Sequence, residues 1–260
     1  MKFQPPVSPI PMFLFGEALL EVDRPIPDAF KSARFWADVT TPSGARLRVG
    51  GFCDREDGKV FRVRFMPTER GLHRFAARFE APGLEQEWKG EFHGEKSNEK
   101  GLLRPEGFHF RWSHVDEHFF WSGTTCYMMA GLDEKLIGPA IDRLADAGVN
   151  HIRVALCPSR QESGQRWYEP QVKDRPDFTF CYGPWPAANP KSALDPRFDV
   201  SKFDLAHWRK FERLLAKARE RDVMVQVIMF VDAQEAQNYP FDRDRKGDDP
   251  DERRYFEYAA

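Results

Sequence analysis

Between about residues 11 and 95, apolar and polar positions alternate with the period of two that marks half-buried strands. Phe35, Ala37 and Val39 alternate with polar neighbours ahead of the turn residues Thr41-Pro42-Ser43-Gly44. Arg46 to Val49 continue as a second strand, and Gly50-Gly51-Phe52 marks a bend in it. Phe61, Val63 and Phe65 alternate with Arg62 and Arg64, which predicts one apolar and one charged face. Pro67-Thr68-Glu69-Arg70-Gly71 reads as a turn, His73 to Phe79 resume the alternation, and Trp88, Gly90 and Phe92 suggest one more strand. Short strands at this spacing without a helix predict an antiparallel β-sandwich over residues 1–97. Packing and support are its default role, with carbohydrate binding as the functional alternative.

From residue 98 the period changes. Phe108 to Trp112 and His118 to Trp121 flank a polar turn and predict a hairpin, and Phe119 to Tyr127 reads as a strand whose end carries Thr124, Thr125 and Tyr127. Ile137, Ile141, Leu144 and Ala147 then recur on one helical face, with Asp133 placed to cap its start and Gly148 to end it. Pro139 is expected to kink that helix or to reset its start. The nearly continuous apolar run Val149 to Leu156 suits a strand of a parallel sheet covered on both faces. A long connection over residues 157–203 leads to a second helix bearing Trp208, Phe211, Leu215 and Ala218. Val223 to Phe230 is a third apolar run, Asp232 lies just beyond it, and residues 250–260 begin another helix. Right-handed βαβ connections of this kind build either a doubly wound sheet or a (β/α)8 barrel. Neither a GxGxxG turn nor a GxxxxGK[ST] loop occurs, which weakens a nucleotide-binding oxidoreductase reading.

Composition narrows the classes further. Hydrophobic residues make up 41% and charged residues 31%, as in a soluble globular protein. With 39 basic and 41 acidic residues the net charge is -2, too balanced to imply a nucleic-acid or anionic-membrane partner. The four cysteines, Cys53, Cys126, Cys157 and Cys181, have no CxxC spacing and read as free thiols. The seven histidines form no HExxH motif or tight cluster, so no metal site is expected. The opening MKFQPPVSPIPMFLF lacks a long apolar core and a small-residue cleavage site, and a cytoplasmic location is expected.

The run Gly50-Gly51-Phe52, followed by Val60-Phe61-Arg62-Val63-Arg64-Phe65-Met66-Pro67-Thr68 and Gly71, resembles the immunoglobulin-like domain of the DUF5060 type. That domain precedes catalytic barrels in a group of bacterial glycoside hydrolases. Arg70-Gly71 replaces its usual Glu-Gly turn. Residues 98–260 resemble the opening of the associated cellulase-like, clan-A (β/α)8 barrel, through Phe108-His109-Phe110-Arg111-Trp112, Phe119 to Thr125, Gly148 to Val154, Phe198-Asp199-Val200 and Val223 to Asp232. The expected fold class is therefore multidomain, an immunoglobulin-like antiparallel β-sandwich followed by the first three βα units of a TIM barrel, truncated.

The resemblance implies a glycosidase that hydrolyses O-glycosidic bonds with paired glutamates and no cofactor, acting on an oligo- or polysaccharide. In such enzymes those glutamates stand at the fourth and seventh strands, so both are expected beyond residue 260 and this portion alone is expected to be inactive. Related enzymes place an arginine beside the nucleophile on the second strand, which falls on Arg153 here. A guanidinium there holds a carboxylate ionised and oriented, whereas the bland reading of Arg153 is a buried salt bridge. Thr124 and Tyr127 at the first strand end, and Asp232 at the third, are candidates for sugar hydroxyls or plain capping groups. Trp167, Tyr168, Tyr182 and Trp185 of the long connection could stack on a pyranose or pack the connection down. A non-catalytic carbohydrate-binding or scaffold protein is the alternative function.

Overall fold

The computed structural model describes residues 1–157, 175–179, 182–190, 196–229, 240–241 and 248–259. They form two compact units, one of residues 1–120 with 252–260 and one of residues 121–251.

The first unit is built on eight strands: β1 (Lys2–Gln4), β2 (Ile10–Pro11), β3 (Gly16–Glu21), β4 (Arg34–Thr40), β5 (Arg46–Cys53), β6 (Val60–Phe65), β7 (Gly71–Ala81) and β8 (Leu84–Glu95). A single helical turn, α1 (Ala29–Ser32), precedes β4. The strands form one sheet in the order β1-β3-β6-β5-β4-β7-β8-β2. Period-two alternation turns Phe35, Ala37 and Val39 of β4, Phe61, Val63 and Phe65 of β6, and Phe75, Ala77 and Phe79 of β7 into one core. In a flat sheet β6 and β7, three positions apart, would be separated by roughly 14 Å. Yet the rings of Phe61 and Phe79 lie 4.8 Å apart and those of Phe65 and Phe75 5.0 Å apart. The sheet therefore curls over onto itself and encloses its own apolar face.

The corner of that curl lies in β5. Residues Arg46 to Gly50 pair with β4, whereas Gly51, Phe52 and Cys53 pair with β6. A strand that passes from one layer to the other needs backbone close on both sides at the bend. Residues 103–119 add a separate antiparallel sheet of β9 (Leu103–Glu106), β10 (His109–Trp112) and β11 (His118–Phe119).

The second unit holds β12 (Gly123–Thr125), a 3-10 turn (Tyr127–Gly131), α2 (Glu134–Asp146), β13 (His151–Ala155), α3 (Leu205–Glu220) and β14 (Met224–Ile228). The three strands are parallel, in the order β12-β13-β14. Asp133 caps α2 by accepting a hydrogen bond from the Lys135 amide, and α2 runs through Pro139 rather than restarting there. Asp204 caps α3 by accepting from the amides of Ala206 and His207. Arg221 ties the two helices together through Asp142 at 2.6 Å and Asp146 at 2.5 Å. The last helix, α4 (Pro250–Ala259), contributes residues 252–259 to the first unit, where the Tyr258 hydroxyl donates to the Cys53 carbonyl at 2.9 Å.

Both halves of the expected fold class need correction. The N-terminal portion is a single curled, mixed sheet, because β2 runs parallel to β8, with Ile10 opposite Gly94 and Pro11 opposite Glu95. A two-residue strand is too short to show a period, so the sequence pattern could not reveal it. The described residues of the second unit form no barrel unit series: their three-stranded sheet is open, with β12 and β14 as its edges. A continuous apolar run reports that a strand is buried and carries no information about closure. β14 illustrates the point, since its Val227 is 37% exposed although it lies within the third apolar run.

Candidate functional site

The parallel sheet brings together two residues that the sequence singled out, Arg153 in the middle of β13 and Tyr127 just after the end of β12. β13 places Arg153 between Thr125 of β12 and Gln226 of β14, so these three side chains share one face. Thr124 stands opposite Ile152 and points to the other face. Thus Thr125 and Gln226, not Thr124, flank Arg153. The register decides this, and a sequence gives it only once the strand pairing is known.

Arg153 is half-buried, and its Nε atom is shielded from solvent without a hydrogen-bond partner among the described residues. Its guanidinium lies 5.5 Å from the centre of the Tyr127 ring. Such a cation–π contact holds the group in place while leaving its N–H donors uncommitted. The Cys126 amide donates to the Arg153 carbonyl at 2.8 Å, which fixes the backbone beneath the pair. Tyr127 opens the 3-10 turn, and the buried Tyr182 hydroxyl donates to its carbonyl at 3.3 Å.

Behind Arg153 on the same strand face, His151 is buried with its ring 4.3 Å from that of Trp121. Burial first, and the Arg153 charge second, hold the imidazole below its ordinary pKa, partly offset by a hydrogen bond with Gln226. A neutral His151 adds no second cation beside the guanidinium. Gly123 is required here, because a Cβ at that position would fall 2.7 Å from His151 Nδ1 and 3.0 Å from Trp121 Nε1.

The other candidates separate from this group. Trp185 is 1% exposed, and its ring packs against Phe198 at 5.8 Å and Phe241 at 5.3 Å, so its faces are taken by core contacts. Tyr182 is buried as well and stacks near His207 at 6.2 Å. Asp232, Trp167 and Tyr168 lie outside the described residues. Among the described residues no group of three or more His, Cys, Asp or Glu is arranged to hold a metal ion, and no helix is long and apolar enough to cross a membrane. Cys53, Cys126 and Cys157 are free thiols, with burial pushing Cys53 up to about 11.

Residues 17–80, within the first unit, match the family model of a domain of unknown function, DUF5060. The chain superimposes on a protein from Bacteroides vulgatus that is provisionally named a glycoside hydrolase, with a TM-score of 0.66 and 20% identity. That alignment covers 85% of this chain and 41% of the other, so the chain spans about two fifths of that structure's length. A family 123 glycoside hydrolase from Clostridium perfringens aligns at a TM-score of only 0.27 and 9% identity, over 80% of this chain and 40% of that one. No curated protein matches the sequence. The chain shares a fold with part of a protein related by name to glycoside hydrolases.

Proposed function

We propose that this chain belongs to a glycosidase-related protein that acts on an oligo- or polysaccharide and hydrolyses O-glycosidic bonds with a pair of glutamates. The observation that carries this reading is the uncommitted guanidinium of Arg153, held against the Tyr127 ring on the central strand of the parallel sheet. The shared fold with the Bacteroides vulgatus protein supports the reaction class. Retaining hydrolysis needs one carboxylic acid to protonate the leaving oxygen and one carboxylate to attack the anomeric carbon. An arginine beside the second keeps it ionised and aims its lone pairs, through charge-assisted hydrogen bonds. Asp232 and Trp167 remain proposed contacts for sugar hydroxyls and ring faces; Thr124 faces away from Arg153, and for Trp185 a supporting role in packing fits its burial better.

The test is kinetic. In the protein at its natural length, Arg153→Ala lowers kcat on a responsive substrate from a panel of aryl glycosides by about 100-fold. Arg153→Lys recovers only part of that loss, because an ammonium cannot reproduce the planar fork. Turnover unchanged in both variants removes Arg153 from the reaction. A protein that binds saccharide without turnover on any substrate points instead to the non-catalytic reading.

A further inference from the structure

The outer face of the layer formed by β5, β4, β7 and β8 carries rows of residues set by strand register. Arg46, Thr40, Arg74 and Glu91 make one row, and Arg48, Asp38, Ala76 and Lys89 the next. Thr40 and Ala76 are short, and the long side chains around them enclose a trough of about 630 Å³. Its charge is lopsided. Arg46, Arg48, Arg74 and Lys89 line it against one carboxylate, that of Asp38.

That carboxylate is already engaged. Arg48 holds Asp38 through two hydrogen bonds of 2.7 and 3.2 Å, and Arg78 adds a third at 3.2 Å. Lys89 leans on Glu87 at 3.4 Å. Arg46 and Arg74 have neither an ion pair nor a hydrogen bond among the described residues, although Glu91 stands directly across from Arg74. Two guanidinium groups therefore flank Thr40 on neighbouring strands with their donors unused. At the other side of the trough, Arg48 lies over the Trp36 ring at 5.6 Å. Arg48 and Trp36 also line an adjoining crevice of about 500 Å³ together with Phe52 and Tyr258, where Arg34 and Arg254 stand against the carboxylates of Glu80 and Glu257.

We infer that this face of the first unit binds a carboxylated saccharide. The spare arginines supply planar, forked donors that match a carboxylate, and the aromatic crevice supplies apolar surface for a sugar ring. The combined space suits a ligand of a few rings. A neutral sugar leaves both guanidinium groups without a counter-charge, so the anionic ligand is favoured. The site lies apart in sequence from Arg153 and is read by binding alone, so its failure and a failure of the glycosidase reading are separately visible.

The experiment titrates the protein with tetragalacturonate, with the neutral cellotetraose and with a single-stranded DNA oligonucleotide, by calorimetry at two salt concentrations. The double variant Arg46→Ala/Arg74→Ala is run in parallel, with its melting temperature as the control for folding. Both arginines are exposed, so the variant is expected to melt as the parent does. The expected result is saturable binding of tetragalacturonate that weakens with salt and by at least tenfold in the double variant, with cellotetraose and DNA binding at least tenfold more weakly. Absence of saturable tetragalacturonate binding overturns the inference. So does equal affinity in the double variant, for the neutral tetraose, or for the DNA.

Discussion

A methyl group on Gly51 would lie 2.6 Å from the Arg62 carbonyl oxygen and 2.8 Å from that of Phe35, whereas one on Gly50 would meet nothing within 4 Å. A third obstacle is the Val63 Cγ2 methyl at 2.6 Å, and the two carbonyls are backbone, which cannot swing aside as a flexible side chain would. Gly51→Ala is therefore expected to lower stability by about 1–3 kcal/mol, the range for forced overpacking. Gly50→Ala should stay within about 0.5 kcal/mol of the parent. Urea unfolding of the two variants checks this, and equal midpoints would contradict the corner assigned to β5. The residue scale also shows where sequence reading stopped. Arg153 and Tyr127 stand out in the chain by residue type and by their place on or just after apolar runs, and the structure sets the guanidinium 5.5 Å from the ring centre. Thr125 and Gln226 were not, because only strand pairing puts them beside Arg153.

At the scale of elements, α3 couples a buried titratable group to stability. His207 sits on its inner face, with the rings of Tyr182 at 6.2 Å and Phe211 at 6.5 Å. Burial, opposed by Asp204 and reinforced by Lys210, pushes this imidazole from 6.5 down to about 4. The unfolded chain takes up a proton near pH 6.5, and the folded one resists until about pH 4. The stability contributed by keeping His207 neutral is thus fully present above pH 6.5 and lost as pH falls toward 4. Between pH 7 and pH 5 this one group accounts for about 2 kcal/mol. Urea midpoints at both pH values should fall less in His207→Gln than in the parent; an equal fall would place the acid sensitivity elsewhere. Much of the element pattern was readable beforehand. The long strands β4, β6 and β7 alternate over six or more residues, and α2 shows its buried Ile137 and Ile141 at helical spacing. On α3 the expected stripe named Leu215, whereas Leu214 is the side chain more fully buried. Two adjacent leucines cannot be ranked by period alone, since 3.6 residues per turn places both near the inner face.

For the whole molecule, alternation identifies which side of a strand is buried but not how many strands share a sheet or whether a sheet closes. That is why the curl of eight strands into one mixed sheet, and the open edges of the parallel sheet, had to come from the structure. The two units present different chemistry. The first offers a cationic trough beside an aromatic crevice, and the second a guanidinium on the central strand of its parallel sheet, held against a tyrosine ring. Saccharide is the proposed ligand of both, and glycoside hydrolysis the proposed reaction. It is tested most directly by incubating the protein at its natural length with a panel of polysaccharides in oxygen-labelled water and weighing the released fragments. Hydrolysis predicts shorter saccharides with one labelled oxygen at each newly formed reducing end and none at the new non-reducing end, from at least one member of the panel. Saccharides recovered intact and unlabelled across the panel, despite saturable binding, would contradict hydrolysis.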